Sequence, residues 1–415
     1  MRRAGETGPL RVLFRRALPN LVLLGVSLGV AAGAGEWFLR RYFPEGGLID
    51  RLHPRYHHTL APGTRKLFRH APANGGGRVL VTVNSRGFRG EELRSDPGLR
   101  VVVYGDSFIE AEFAPLPETF AKRLEARLEA LLETPVEVVN AGVNGYGPDQ
   151  SLRRFEDEVA WLKPQLAIFV VYAGNDFGDV LRNRLYRLDE AGSRLVDGGG
   201  VVSVALRREF EEVEGRTPIH LFRGVQRLLR GRRHAAEVRE ELLPLKLAKY
   251  LPRSIQLCRK EYQEIVVQGR SPVTELLRDH YDADVSLKPG SPPARYKRAL
   301  LEAVLGRIGG MASAAGVRAL VVVIPSPIDV CDAYDVKVDP AVFPDYEPER
   351  LSREAATAAQ RQGLPFVDLF VPFHAAGADR LYYHHGNDHW NAAGQDLAAS
   401  VVAERVVAEG WLRSR

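Results

Sequence analysis

The chain has 415 residues, 57 Lys plus Arg against 52 Asp plus Glu, and a formal charge of +5. So mild a positive balance is not the signature of a nucleic-acid-binding protein, and no nucleic-acid partner is expected. Two cysteines, Cys258 and Cys331, exclude a disulfide-stapled scaffold; neither sits in a CxxC or beside a paired histidine, so metal and thiol-nucleophile chemistry lack support. Two buried thiols are expected, with a single bridge left open should the domain lie outside the cytoplasm.

Residues 1–17 form a basic tail, with Arg2, Arg3, Arg11, Arg15 and Arg16 against Glu6, and Leu18 to Leu39 then runs apolar apart from Asn20, Ser27 and Glu36. A bilayer helix needs about 20 such residues, and Trp37, Phe38, Tyr42 and Phe43 are placed as an interfacial aromatic belt. The reading is a single transmembrane anchor over 18–39 with a cytoplasmic amino terminus and an exported (periplasmic or extracytoplasmic) remainder, although Arg40 and Arg41 reduce the charge asymmetry. A cleavable signal peptide is the alternative, because Ala32-Gly33-Ala34 offers small residues to a peptidase. Apolar character that continues past Ala34 favours the anchor, and both readings export the domain.

Residues 44–97 are rich in Pro, Gly, His and Arg, with one strand-like run at Val79 to Val83 before the turn Asn84 to Gly87; this reads as a tether and leading hairpin. His53, His57, His58 and His70 fit no tight metal-ligand spacing and read as surface histidines.

From residue 98 the pattern changes. In the run Leu99 to Tyr104, Val101 to Tyr104 are β-branched or aromatic without polar alternation, as in a parallel strand buried on both faces, and the run breaks at Gly105 to deliver Asp106 and Ser107 into a turn. The alternative is that either residue simply caps the next helix. An amphipathic helix over Glu118 to Leu132, a strand at Val136 to Val139 and the glycine-rich loop Asn140 to Gly147 follow; the loop lacks the lysine and spacing of a P-loop. A helix over Tyr146 to Leu162 stops at Pro164, and a third apolar strand, Leu166 to Tyr172, ends at Ala173-Gly174-Asn175-Asp176. This alternation implies right-handed parallel crossovers.

Between about 177 and 294 the rhythm lapses into a polar insertion, with Gly198 to Gly200 and the basic cluster Arg223 to His234, which reads as a solvated helix face. Order resumes with the helix Tyr296 to Ala315, the strand Val317 to Ile324, the helix Pro348 to Gln362, the short strand Pro365 to Phe370 and a last helix, Ala392 to Val407, which Asn391 is placed to cap.

Four blocks in order, GDS at 105–107, NAGVNGYG at 140–147, AGND at 173–176 and HWNAAG at 389–394, resemble the SGNH (or GDSL) hydrolase family over residues 80 to 410. The resemblance implies a flavodoxin-like three-layer α/β/α core, here with five parallel strands, in a hydrolase domain spanning 98–410. It implies that Ser107 is a nucleophile with His389 as its base, and that the N–H groups of Ser107 and Gly145 and the amide of Asn175 form an oxyanion hole. No cofactor and no metal are implied. The acid departs from the family pattern: an aspartate is expected two or three residues before the histidine, where this chain has Asn387 and Gly386, and Asp388 is immediately adjacent. Adjacent side chains diverge in extended backbone, so Asp388 orients His389 only if a turn brings it back, and Asn387 is the alternative. His384, His385, Asp388 and His389 also admit a metal-cluster reading, which HWNAAG running into a capped helix disfavours.

These features lead to an exported, membrane-tethered serine esterase acting on an O-acyl, and specifically an O-acetyl, ester of a carbohydrate or other cell-envelope substrate. An O-acyltransferase that resolves the acyl-serine with a sugar hydroxyl is the second reading, and a noncatalytic envelope scaffold the third.

Overall fold

The computed structural model describes residues 9–42, 49–71, 75–200, 250–270, 280–384 and 387–412. The first eight residues of the basic tail, Phe43, the 223–234 cluster and His385 lie outside them.

Five parallel strands form the central sheet: β5 (Leu99–Gly105), β6 (Val136–Gly142), β7 (Leu166–Tyr172), β10 (Arg318–Ile324) and β11 (Phe366–Asp368). Their spatial order is β6-β5-β7-β10-β11, the 2-1-3-4-5 order of flavodoxin-like sheets. The unbroken apolar strands are explained by cover on both faces. Val102 and Tyr104 of β5 point to the same side as Phe169 of β7 and Val321 of β10, against α4 (Pro148–Leu162), α8 (Pro292–Ala314) and α10 (Arg350–Arg361). Val101 and Val103 point the other way, with Ile168 and Val322, against α3 (Phe120–Leu132) and α12 (Ala392–Ala408). The period-2 geometry of a strand thus sorts one apolar run into two cores, and the three-layer α/β/α architecture follows.

Strand boundaries match the sequence closely; Leu166–Tyr172 is exact, and β6 runs three residues further than expected, into its glycine-containing end. Several short helices escaped the sequence reading, among them α5 (Asp176–Asn183), whose residues are all buried, and α11 (Phe370–Ala375). The first is masked by Asp176, Asp179 and Arg182, polar residues that ordinarily mark a surface.

The 44–97 stretch departs most from expectation. It folds as two antiparallel hairpins, β1 (Asp50–His53) with β2 (His57–Leu60) and β3 (Arg65–Arg69) with β4 (Arg78–Thr82). Ile49, Tyr56, Leu60, Val79, Val81 and Val83 pack with Val143 and Tyr146 in a third apolar cluster. His57 and His58 are buried in it, not on the surface, with ring nitrogens bonded to backbone carbonyls. Backbone acceptors let a histidine be buried neutral, an option that residue counts do not reveal.

At the amino terminus, α1 spans Pro9–Tyr42. Its Leu18–Leu39 stretch, 22 residues with mean hydropathy 1.6, is long and apolar enough to cross a bilayer, and none of it is buried against the described chain. A signal sequence satisfies the same length and composition.

Both chain segments that flank the first crossover meet where β6 ends. A Cβ on Gly142 would lie 2.3 Å from the Glu110 nitrogen and 2.6 Å from the Ile109 carbonyl carbon, backbone atoms of α2 (Ser107–Glu110) that cannot yield as a side chain would. Gly142→Ala is therefore expected to destabilise the protein by about 1–3 kcal/mol, the usual range for overpacking, read as a lower urea midpoint.

Candidate active site

The chain leaves β5 for β6 on one side and returns to β7 on the other, so the sheet's switch point lies between β5 and β7. In open parallel sheets the ligand crevice forms there, beyond the carboxyl ends of the strands. The turns after these two strands carry Ser107 and Asn175.

Asp106 is the N-cap of α2: its Oδ1 accepts from the Phe108 N–H at 2.9 Å. Capping by its neighbour leaves the Ser107 hydroxyl uncommitted, and Ser107 Oγ lies 2.7 Å from His389 Nε2 across 282 positions of sequence. Arg89 closes the other end of this short helix, with its guanidinium on the carbonyls of Glu110, Ala111 and Ala114. Four residues cannot hold a helix unaided, so side chains at both ends hold the serine's backbone in place.

His389 is oriented from its own loop. Asn387 Oδ1 lies 2.8 Å from His389 Nδ1 and also accepts the His389 backbone N–H at 3.0 Å. An atom that receives a backbone N–H must be the amide oxygen, which fixes the amide orientation and puts the imidazole proton on Nδ1. Nε2 is then the lone-pair nitrogen facing the Ser107 hydroxyl. The same Asx turn brings Asp388 back, so that its Oδ1 stands 3.3 Å from Nδ1, while its Oδ2 accepts the Tyr172 hydroxyl at 2.8 Å. Both residues reach the ring, Asn387 buried and the closer of the two, Asp388 with a side chain 43% exposed. The ring itself is flanked by Phe108 at 4.9 Å and Phe113 at 5.1 Å between centroids.

Asn175 stands at the N-cap position of α5 but makes no side-chain capping bond; its Oδ1 is buried without a partner, and it faces the site cavity. Its amide is thus not spent on local structure. Gly145 has φ +73°, which glycine alone adopts without strain, and lies buried on the loop after β6. It is not among the residues lining the cavity. Among the described residues, the N–H groups of Ser107 and Gly145 have no acceptor.

The cavity measures about 300 Å³ and brings Ser107, Asn175, Asp388 and His389 together. Its further walls were not foreseen: Tyr250 of α6 (Tyr250–Tyr262), His280 and Tyr281 come from the described parts of the insertion, and Tyr334 to Val336 from the loop after β10. Phe108, Phe113 and Tyr172 were missed as well; no spacing rule marks an aromatic as a neighbour of a histidine more than 200 positions away.

Beneath the cavity lies a dense polar layer. Lys297, fully buried, donates to Asp282 at 2.8 Å and Asp284 at 2.9 Å, and Arg182 pairs with Asp179 and with Glu261. Cys258, Asp282 and Asp284 are close enough to share a metal ion, yet the Lys297 ammonium already contacts both carboxylates. Cys258 and Cys331 are both free thiols. In the carboxyl-terminal loop, His384 Nε2 is bonded to the Asp379 carbonyl at 2.8 Å.

Comparisons with known proteins add little. No family model matches the sequence and no curated protein matches it. Among solved structures, an acetylxylan esterase from Geobacillus stearothermophilus is 14% identical with a TM-score of 0.37, over 77% of this chain and 98% of that one. A lipase/acylhydrolase from Enterococcus faecalis is 14% identical, TM-score 0.32, over 76% and 98%. A psychrotrophic esterase from Pseudoalteromonas sp. is 12% identical, TM-score 0.35, over 75% and 97%. Superpositions at this level carry no argument about fold or chemistry, which rest on the chain's own geometry.

Burial, with the carboxylates of Asp179 and Asp388 adding to it against the Phe108 N–H, raises the Asp106 carboxyl to about 7. An unfolded aspartate titrates near about 3.9, so the folded state holds this proton more tightly. The stability from this group is complete below about pH 4 and is lost as pH rises through about 7. Asp106→Asn keeps a capping oxygen without the charge. Its urea midpoint is expected to equal the wild type's near pH 4 and to exceed it at pH 8.

Proposed function

We propose that the protein is an SGNH-type serine hydrolase that cleaves an O-acyl ester through an acyl-serine intermediate. The observation that carries this reading is the 2.7 Å contact between Ser107 Oγ and His389 Nε2, with the ring's other nitrogen occupied by Asn387. A serine hydroxyl needs such a base to act as a nucleophile at neutral pH. Ser107 Oγ attacks the ester carbonyl carbon while His389 Nε2 takes the hydroxyl proton. The N–H groups of Ser107 and Gly145 and the amide of Asn175 receive the oxyanion. Collapse breaks the bond to the alcohol, which leaves with the proton from His389, and water attacks the acyl-serine by the same path in reverse.

In this scheme the work of the usual acid is divided. Asn387 holds the neutral imidazole in the reactive tautomer but carries no charge; Asp388, at 3.3 Å, supplies the negative charge beside the imidazolium that forms. The 300 Å³ cavity suits a small acyl group, and the tyrosine rings at 250, 281 and 334 in its lining offer apolar faces against which the ring of a polyhydroxylated alcohol can pack. An O-acetylated carbohydrate is the substrate class we propose. With α1 as a membrane anchor, the domain would act on envelope material outside the cytoplasm; the same acyl-serine would serve an O-acyltransferase if a sugar hydroxyl replaced water.

Hydrolysis of p-nitrophenyl acetate by the full-length protein in detergent tests the reading. Turnover is expected and should fall to background in Ser107→Ala; equal rates in the two overturn it. Added sugar acceptors, scored for acyl transfer against hydrolysis, separate esterase from transferase. Asn387→Ala and Asp388→Ala are each expected to lower kcat/KM by about 10- to 100-fold, a part of the usual worth of general acid–base catalysis. Rates within threefold of wild type in both variants would place the orienting group elsewhere.

A further inference from the structure

The hairpin β1–β2, the first described element after α1, reaches into the loop that carries Gly145. His58 Nε2 lies 2.7 Å from the Asn144 carbonyl oxygen, and since a carbonyl only accepts, the imidazole donates. On the other side of the same residue, the Asn144 N–H donates to Glu110 Oε2 at 2.7 Å. Both side chains are buried, His58 3% and Glu110 2% exposed. The Tyr146 ring stands nearly perpendicular to the His58 ring at 5.2 Å, and its hydroxyl donates to the His58 carbonyl at 2.5 Å. One turn further, Gln150 donates to the Tyr56 carbonyl and accepts the Gly147 N–H, both at 3.0 Å, so the hairpin grips the loop at two places.

The Asn144 carbonyl and the Gly145 N–H belong to one planar trans peptide and point in opposite directions. Fixing the carbonyl on His58 therefore fixes the direction of the Gly145 N–H, away from the hairpin, and a donor on the carbonyl also polarises that N–H. Without such ties a glycine at φ +73° is free to rotate its peptide. We infer that His58, with Glu110, is a positioning residue that clamps the Asn144–Gly145 peptide and so presents the Gly145 N–H as an oxyanion donor. This rests on the serine-hydrolase reading above. It also makes the segment that joins the anchor to the domain a working part of the site, and not a passive leash.

The test uses the full-length protein in detergent with three variants, steady-state hydrolysis of p-nitrophenyl acetate, and deuterium exchange of the peptide covering 141–148. His58→Leu is expected to lower kcat about tenfold or more, as befits a misaimed oxyanion donor, with KM within threefold. It should also speed exchange of the 141–148 peptide. His58→Gln, whose side-chain amide stands where Nε2 stood, should restore both; a role confined to packing would instead lower thermal stability without rescue by glutamine. Unchanged exchange in His58→Leu overturns the clamp. Faster exchange with unchanged kcat, while Ser107→Ala is dead, overturns the positioning role and leaves the hydrolase reading standing. Wild-type turnover no higher than that of Ser107→Ala overturns that reading and the positioning role together. If His58→Leu does not fold, His58→Asn decides, since its amide is too short to reach the Asn144 carbonyl: wild-type exchange and kcat in that variant overturn the clamp.

Discussion

The constraint on which the rest depends is that β5 is covered by apolar side chains on both faces. Val101 to Tyr104 have no exposed surface, so no polar group along the strand can be used for chemistry. Polarity is expelled to the strand's carboxyl end, where backbone hydrogen bonding in the sheet stops and a turn must supply its own partners. Ser107 stands at that end because it is the first place where a hydroxyl can be both held and reached. The same holds for Asn175 after β7, and parallel pairing with both strands keeping register brings the two turns side by side.

Holding the site there has an energetic cost. Asp106, Asp176 and Asp179 lie buried close to one another, and burial, with mutual repulsion, raises the Asp106 and Asp176 carboxyls well above the ordinary range. Arg182 offsets part of that charge at Asp179, Lys297 does the same for the neighbouring Asp282 and Asp284, and backbone donors such as the Tyr172 N–H, 2.7 Å from Asp176 Oδ2, offset more. Much of this network comes from outside the repeating strand–helix units: Glu261, His280, Asp282 and Asp284 belong to the insertion. The inserted segment is thus built into the floor and wall of the cavity. Asp282 alone accepts the Gly178 N–H, donates its own N–H to Gly174 and receives Lys297.

The fold was legible wherever one physical signal dominated. Unbroken β-branched runs placed three of the five sheet strands, β5, β7 and β10, nearly to the residue, because a strand buried on both faces has no other composition available. Asn391 caps α12 through Ala393 and Gly394 as its sequence context suggested. What failed to show were elements whose signal was mixed. The all-buried α5 looks polar in sequence, and its charges are tolerated because Asp176 accepts the Tyr172 N–H, Asp179 pairs with Arg182, and Arg182 also meets Glu261 from far along the chain. The hairpins at 50–82 are short and rich in histidine and arginine, and they are stable only because Val143 and Tyr146 complete their apolar cluster.

By itself the sequence determined that the chain is a parallel α/β protein with an apolar amino-terminal helix, and which residues stand at the carboxyl ends of its strands. These are local properties, set by side-chain periodicity and by glycine where the backbone must turn or approach closely. Which of those residues meet was decided by the tertiary structure: that Ser107 faces His389, that Asn387 and not Asp388 is nearer the ring, that Tyr250, His280 and Tyr281 wall the cavity, and that His58 holds the loop of Gly145. The reason is that a hydrogen bond between residues 107 and 389 leaves no trace in the composition or periodicity of either segment. Only closure of the sheet and docking of its last helix bring the two within 2.7 Å.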